Sequence, residues 1–280
     1  MTRSTISINV PYIKTLHKTP YPAISPLRPE LNQAGKTVLI TGGGTGIGFA
    51  IARAFVQASA SHVIITGRRE KVIADSVSQL KAEADGSKTT VSGFASDMAD
   101  LQDSEKLWDG FKSAGIAIDV LVLNAASAGE VKPILQAGLD STWRVFEINV
   151  RGLLDYAQRF YRQGGDQQKV SCHVAVDRNL KCDANKWHQY LINVSTSCVH
   201  NFTTDSPFIP TYGLTKNSGT LLIQQIAKDT ASSDMQIVSF HPGGILSDAA
   251  KSVGYDETSL DWDDGKLPAV FCFSLESCLY

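Results

Sequence analysis

A chain of 280 residues, 43% of them hydrophobic, is long enough to bury one large α/β core, and a single domain is expected at this length. With 26 basic and 28 acidic residues the formal net charge is −2, and the lysines and arginines are scattered, so there is no basic field to attract nucleic acid. No apolar run reaches the roughly 20 residues of a membrane span, the first residues lack a signal peptide's apolar stretch, and five cysteines make an odd count suited to free thiols, so a soluble, cytoplasmic protein without a membrane partner is expected.

Residues 1–34 are proline-rich and read as an irregular lead-in to one domain spanning 35–280. Beyond them, β-branched runs predict strands at 36–42, 61–67, 89–96, 119–125, 189–195 and 235–243. Amphipathic stretches predict helices at roughly 46–59, 69–84, 103–113, 140–163 and 211–231. This alternation is the pattern of βαβ units and a parallel sheet, giving an α/β fold of the Rossmann type.

Directly after the first strand comes TGGGTGIG, in which Thr41, Gly42, Thr45, Gly46, Ile47 and Gly48 lead into a helix. Glycines there allow a tight turn and close backbone approach to a pyrophosphate, whose charge the helix N-terminus stabilises. The second strand ends in Arg68-Arg69, where an NAD site usually has an acid. Two guanidinium groups favour a 2′-phosphate, hence NADP(H), although a solvated helix start would use the same residues. Asp97, closing the third strand, is placed either to accept from an adenine amino group or to cap the next helix. Further on, Tyr212 and Lys216 in TYGLTK stand four residues apart on one helical face. A phenol with an ordinary pKa of about 10 becomes an effective acid–base group when a nearby ammonium favours its phenolate.

Together, TGGGTGIG at 41–48, LNAA at 123–126, Asn149 in EINVRG, NVST at 193–196, YGLTK at 212–216 and HPGGILS at 241–247 resemble the short-chain dehydrogenase/reductase family, in its compact single-domain branch. The resemblance covers about 36–247 and implies a doubly wound sheet of order 3-2-1-4-5-6 and hydride exchange between NADP(H) and a small carbonyl/alcohol substrate. Position by position, it implies that Tyr212 exchanges a proton with the substrate oxygen. Lys216 would lower the tyrosine pKa, hold the nicotinamide ribose and reach Asn149 through a water relay. Asn124 would brace the central strand beside the cofactor, and Ile245 and Ser247 would contact the carboxamide. It also implies a homodimer or homotetramer formed through the helices after the fourth and fifth strands. The lead-in YPAISPLRPELNQAGKTVLITGG looks like that of fungal members, which suggests a substrate from secondary metabolism.

Three departures stand out. The family's substrate-orienting serine falls on Thr196, with Ser197 and then Ser195 as alternatives. Val170–Gln189 carries Cys172, His173, Cys182 and His188 without the paired spacing of a zinc site, so no metal is expected. It reads as part of a surface insertion at about 166–189, and its end codons are compatible with an intron's donor and acceptor. Residues 248–266 would be a substrate lid containing Tyr255 and Trp262, and the chain then stops without the family's seventh strand, so the sixth is expected to be an open sheet edge. These departures leave a catalytically weak dinucleotide-binding paralogue as the alternative reading.

Overall fold

The computed structural model describes residues 17–84, 86–163, 189–201, 209–259 and 263–266. Six parallel strands, β1 (Thr37–Thr41), β2 (His62–Gly67), β3 (Thr90–Ala95), β4 (Val120–Leu123), β5 (Gln189–Val194) and β6 (Met235–Phe240), line up in the order β3-β2-β1-β4-β5-β6. The expected sheet order is therefore observed, and β6 is its edge among the described residues.

Strand alternation divides the core between the two faces of the sheet. Val38, Ile40, Val63, Ile65, Val120 and Val122 face a layer shared with α1 (Gly46–Gln57) and α2 (Glu70–Glu83). Their neighbours Leu39, Ile64, Leu121 and Leu123 face the opposite layer, with Trp108 and Phe111 of α3 (Leu101–Ser113) and Tyr156 and Phe160 of a helix after β4. Apolar runs are expected of parallel strands covered on both faces.

The helix predicted at 140–163 is broken into α4 (Leu139–Phe146), a π-helical turn Glu147–Arg151 and α5 (Gly152–Arg162). Two glycines account for the close packing there: a Cβ on Gly152 would lie 2.7 Å from Met98, and one on Gly219 would lie 2.4 Å from the Asn149 carbonyl oxygen. A short α6 (Cys198–Asn201) follows β5, then α7 (Pro210–Asp229) and, after β6, α8 (Asp248–Ser252). The lead-in contains two 3₁₀ turns, Pro22–Ile24 and Pro29–Leu31, which bury Ile24 and Leu31. Gln189 belongs to the core rather than to an insertion: it opens β5, is buried, and donates from Nε2 to the Phe160 carbonyl. The rest of Val170–Gln189 and Trp262 lie outside the described residues.

Candidate active site

The C-terminal ends of β1 and β4, where the strand order reverses, carry the first half of the site. Thr41 Oγ1 donates to the Val122 carbonyl (3.2 Å) and accepts from the amides of Asn124 (3.0 Å) and Ala125 (3.1 Å). Asn124 Nδ2 donates to the carbonyls of Thr41 (3.0 Å) and Gly42 (3.2 Å), so this asparagine braces the glycine turn at the end of β1. Gly42 and Gly46 have φ of 64° and 54°, in the left-handed region that favours glycine. At Gly48 a Cβ would come 2.3 Å from the Gly42 carbonyl oxygen. Thr45 caps α1 with backbone only, and among the described residues no side chain is bonded to the amides of its first turn. A cradle of glycine backbone facing an uncapped twelve-residue helix fits a dinucleotide pyrophosphate.

At the rim, Arg68 and Arg69 are both exposed beside this cradle. Asp97 is already engaged: its carboxylate accepts from the Ala99 amide (3.0 Å) and pairs with Arg144 of α4. It does not cap α3, because Asp100 does so by accepting from the amides of Gln102 and Asp103.

The second half lies at the end of β5 and along α7. The π-turn aims Asn149 inward: Oδ1 accepts from the Ser127 amide (2.8 Å), while Nδ2 donates to the Ser127 carbonyl and the Thr215 hydroxyl (both 2.9 Å). Asn149 thus ties the loop after β4 to α7. Thr196 is buried, and its side chain favours ionisation of the nearby Tyr212 phenol, whereas Ser195 Oγ pairs with Thr220 Oγ1 at 2.7 Å. Burial pushes the Tyr212 phenol up to about 12, the nearby Cys198 thiol and Tyr255 act in the same direction, and Thr196 opposes them. Burial also pulls the Lys216 ammonium down to about 8, with Cys198 opposing, and its Nζ donates to the Val194 carbonyl at 2.6 Å.

The Lys216 ammonium is held by the Val194 carbonyl, and the cost of burying a phenolate is the largest influence on the Tyr212 ionisation. Cys198 was not singled out from the sequence, although it lies two residues past Thr196. Thr215 and Ser127 were also missed, because their roles depend on the π-turn.

The loop after β6 closes the site. Ser247 caps α8 by accepting from the Ala250 amide (3.2 Å), its own amide donates to the Ile245 carbonyl (2.8 Å), and a Cβ on Gly46 would lie 3.8 Å from Ser247 Cβ. The described residues thus bring Thr41 through Gly48, Asn124 and Ser247 together at one end, and Asn149, Thr196, Tyr212 and Lys216 at the other.

Comparison with known proteins agrees with this geometry. Residues 36–170 match the family described as short chain dehydrogenase. A short chain dehydrogenase/reductase of Claviceps purpurea is 26% identical over 92% of this chain and 78% of its own length. The short chain dehydrogenase/reductase dpmpG of Macrophomina phaseolina is 34% identical over 43% of this chain and 67% of its own. Among solved structures, an active-site complex of Pseudomonas aeruginosa RhlG with NADP superposes with a TM-score of 0.71 at 20% identity, covering 89% of this chain and 91% of that one.

Proposed function

The chain belongs to the short-chain dehydrogenase/reductase family, and from that premise we propose that it is an NADP(H)-dependent oxidoreductase interconverting a ketone or aldehyde and an alcohol, with Tyr212 as the proton donor. The observation that carries this reading is the placement of Tyr212 and Lys216 one helical turn apart on α7, with the Lys216 ammonium on the Val194 carbonyl at the end of β5, two residues before Thr196.

The glycine cradle and the first turn of α1 would hold the pyrophosphate, the exposed Arg68 and Arg69 the 2′-phosphate, and Ile245 and Ser247 the nicotinamide end. When bound, NADPH supplies the hydride. Thr196 orients the carbonyl by donating its hydroxyl proton toward the oxygen. Tyr212 stays protonated at neutral pH because burial holds its pKa near 12, so the phenol is ready to deliver a proton as charge develops on that oxygen. Lys216, which titrates at about 8, is the adjacent group able to return one.

A small carbonyl or alcohol of secondary metabolism is the proposed substrate class, supported by fungal relatives such as the Claviceps protein. A cytoplasmic location is supported by the odd count of five cysteines, which suits thiols in a reducing compartment. One observation favours the rival reading of a weakly active dinucleotide-binding paralogue: the Val194 carbonyl, rather than the phenol, holds the Lys216 ammonium. Following NADPH consumption with a panel of ketones and quinones separates the two. Turnover that disappears in Tyr212→Phe while cofactor binding persists is expected of the enzyme. NADPH binding without turnover in either protein would support the paralogue.

A further inference from the structure

The loop from His241 to Ser247 would carry the nicotinamide contacts, yet its Pro-Gly-Gly stretch has little intrinsic order. Its shape is secured from outside, by Asp263. The Gly244 amide donates to Asp263 Oδ2 (2.8 Å), and the Asp263 amide donates back to the Gly244 carbonyl (2.7 Å). Gly243 has φ of 90°, and a Cβ there would stand 2.4 Å from Asp263 Oδ2, so the carboxylate is seated against bare glycine backbone. The next residue continues the joint: the Asp264 amide donates to the Lys18 carbonyl in the lead-in (2.8 Å), and a Cβ on Gly265 would lie 3.6 Å from Ile245 Cγ2. Residues 263–265 thus tie together the loop after β6, Ile245 itself and the lead-in.

We propose that Asp263 is a positioning residue for the nicotinamide half of the cofactor site, holding residues 243–247 in the conformation that presents Ile245 and Ser247. The proposal rests on the NADP(H) reading above and adds an asymmetry to it. The adenine half, built on α1 and the end of β2, is independent of Asp263, whereas the nicotinamide half is not. An acceptor that is charged and receives a backbone amide makes a stronger bond than a neutral one, so a single carboxylate suffices to pin a two-glycine loop.

The test is to titrate wild type, Asp263→Ala and Asp263→Asn with NADPH and with adenosine 2′,5′-bisphosphate, which has the adenine half and no nicotinamide. Asp263→Ala is expected to bind NADPH about tenfold more weakly while its affinity for the bisphosphate is unchanged. Asp263→Asn keeps a carbonyl acceptor for the Gly244 amide and should recover most of the loss. Unchanged NADPH affinity in Asp263→Ala, or equal weakening of both ligands, would overturn the proposal. Failure of the wild type itself to bind either ligand has a different meaning: it would sink the cofactor reading, and the positioning role with it.

Discussion

Two ionisable groups one helical turn apart are displaced in opposite directions from their ordinary ionisation, Tyr212 up to about 12 and Lys216 down to about 8, both chiefly by desolvation. The signs define a working range for carbonyl reduction. Below about pH 8 the phenol is protonated and the ammonium is intact, and as pH rises through 8 the lysine loses its proton while the tyrosine keeps its own. The rate of reduction at saturating NADPH should therefore fall along a single limb centred near pH 8. In Lys216→Arg that limb should move upward, because a guanidinium stays protonated. A wild-type profile that stays flat to pH 10 would show that Lys216 takes no part in proton return. The residues of this pair were legible from Y-x3-K, but their electrostatics were not. Spacing on a helix places two side chains on one face, whereas the Val194 carbonyl that captures the ammonium comes from a different strand. The choice among Thr196, Ser197 and Ser195 was not legible either, because what engages Ser195 is Thr220, a residue 25 positions away on α7.

The elements were mostly predictable where apolar periodicity was strong, and failed where packing overrides it. The six strands and α1, α2, α3 and α7 fall within a few residues of expectation. The long helix after β4 does not, because its π-turn is a response to neighbours: Gly152 admits Met98 on one side, and Gly219 of α7 admits the Asn149 carbonyl on the other. Such an inserted turn redirects the side chains around it, which is how Asn149 comes to bridge Ser127 and Thr215. Gly219→Ala should accordingly be destabilising by about 1–3 kcal/mol, since the new methyl meets backbone that cannot swing aside. Gly110→Ala is the matched contrast, an exposed site in α3 with nothing near the added Cβ, and should be stabilising by about 0.5–1 kcal/mol. Thermal unfolding of both variants checks the pair. If the two substitutions shifted the midpoint equally, the tight contact between α7 and the π-turn would not be a real constraint.

Across the whole molecule, the apolar side chains left on the surface are not evenly spread. Leu139 and Trp143 are 79% and 60% exposed on α4, and Leu214 and Leu221 are 46% and 52% exposed on α7. Spacings of four and seven residues place each pair on one side of its helix, and α4 packs directly against α7, so the two pairs sit on neighbouring helices. Isolated exposed leucines carry no message, whereas apolar pairs on adjoining helices would suit a contact surface. These are also the helices through which the family resemblance implies pairing. A self-complementary patch on two helices suits a two-fold dimer, in which each helix meets its own copy or its neighbour's. Introducing one like charge per helix, with Trp143→Glu and Leu221→Glu together, would place four carboxylates in such an interface, so a wild type that sediments as a dimer is expected to become a monomer on this double substitution. Both positions are exposed in the single chain, so thermal stability of the monomer should change little. A wild type that sediments as a monomer at micromolar concentration, or a doubly substituted protein that remains a dimer, would rule out α4 and α7 as the pairing surface.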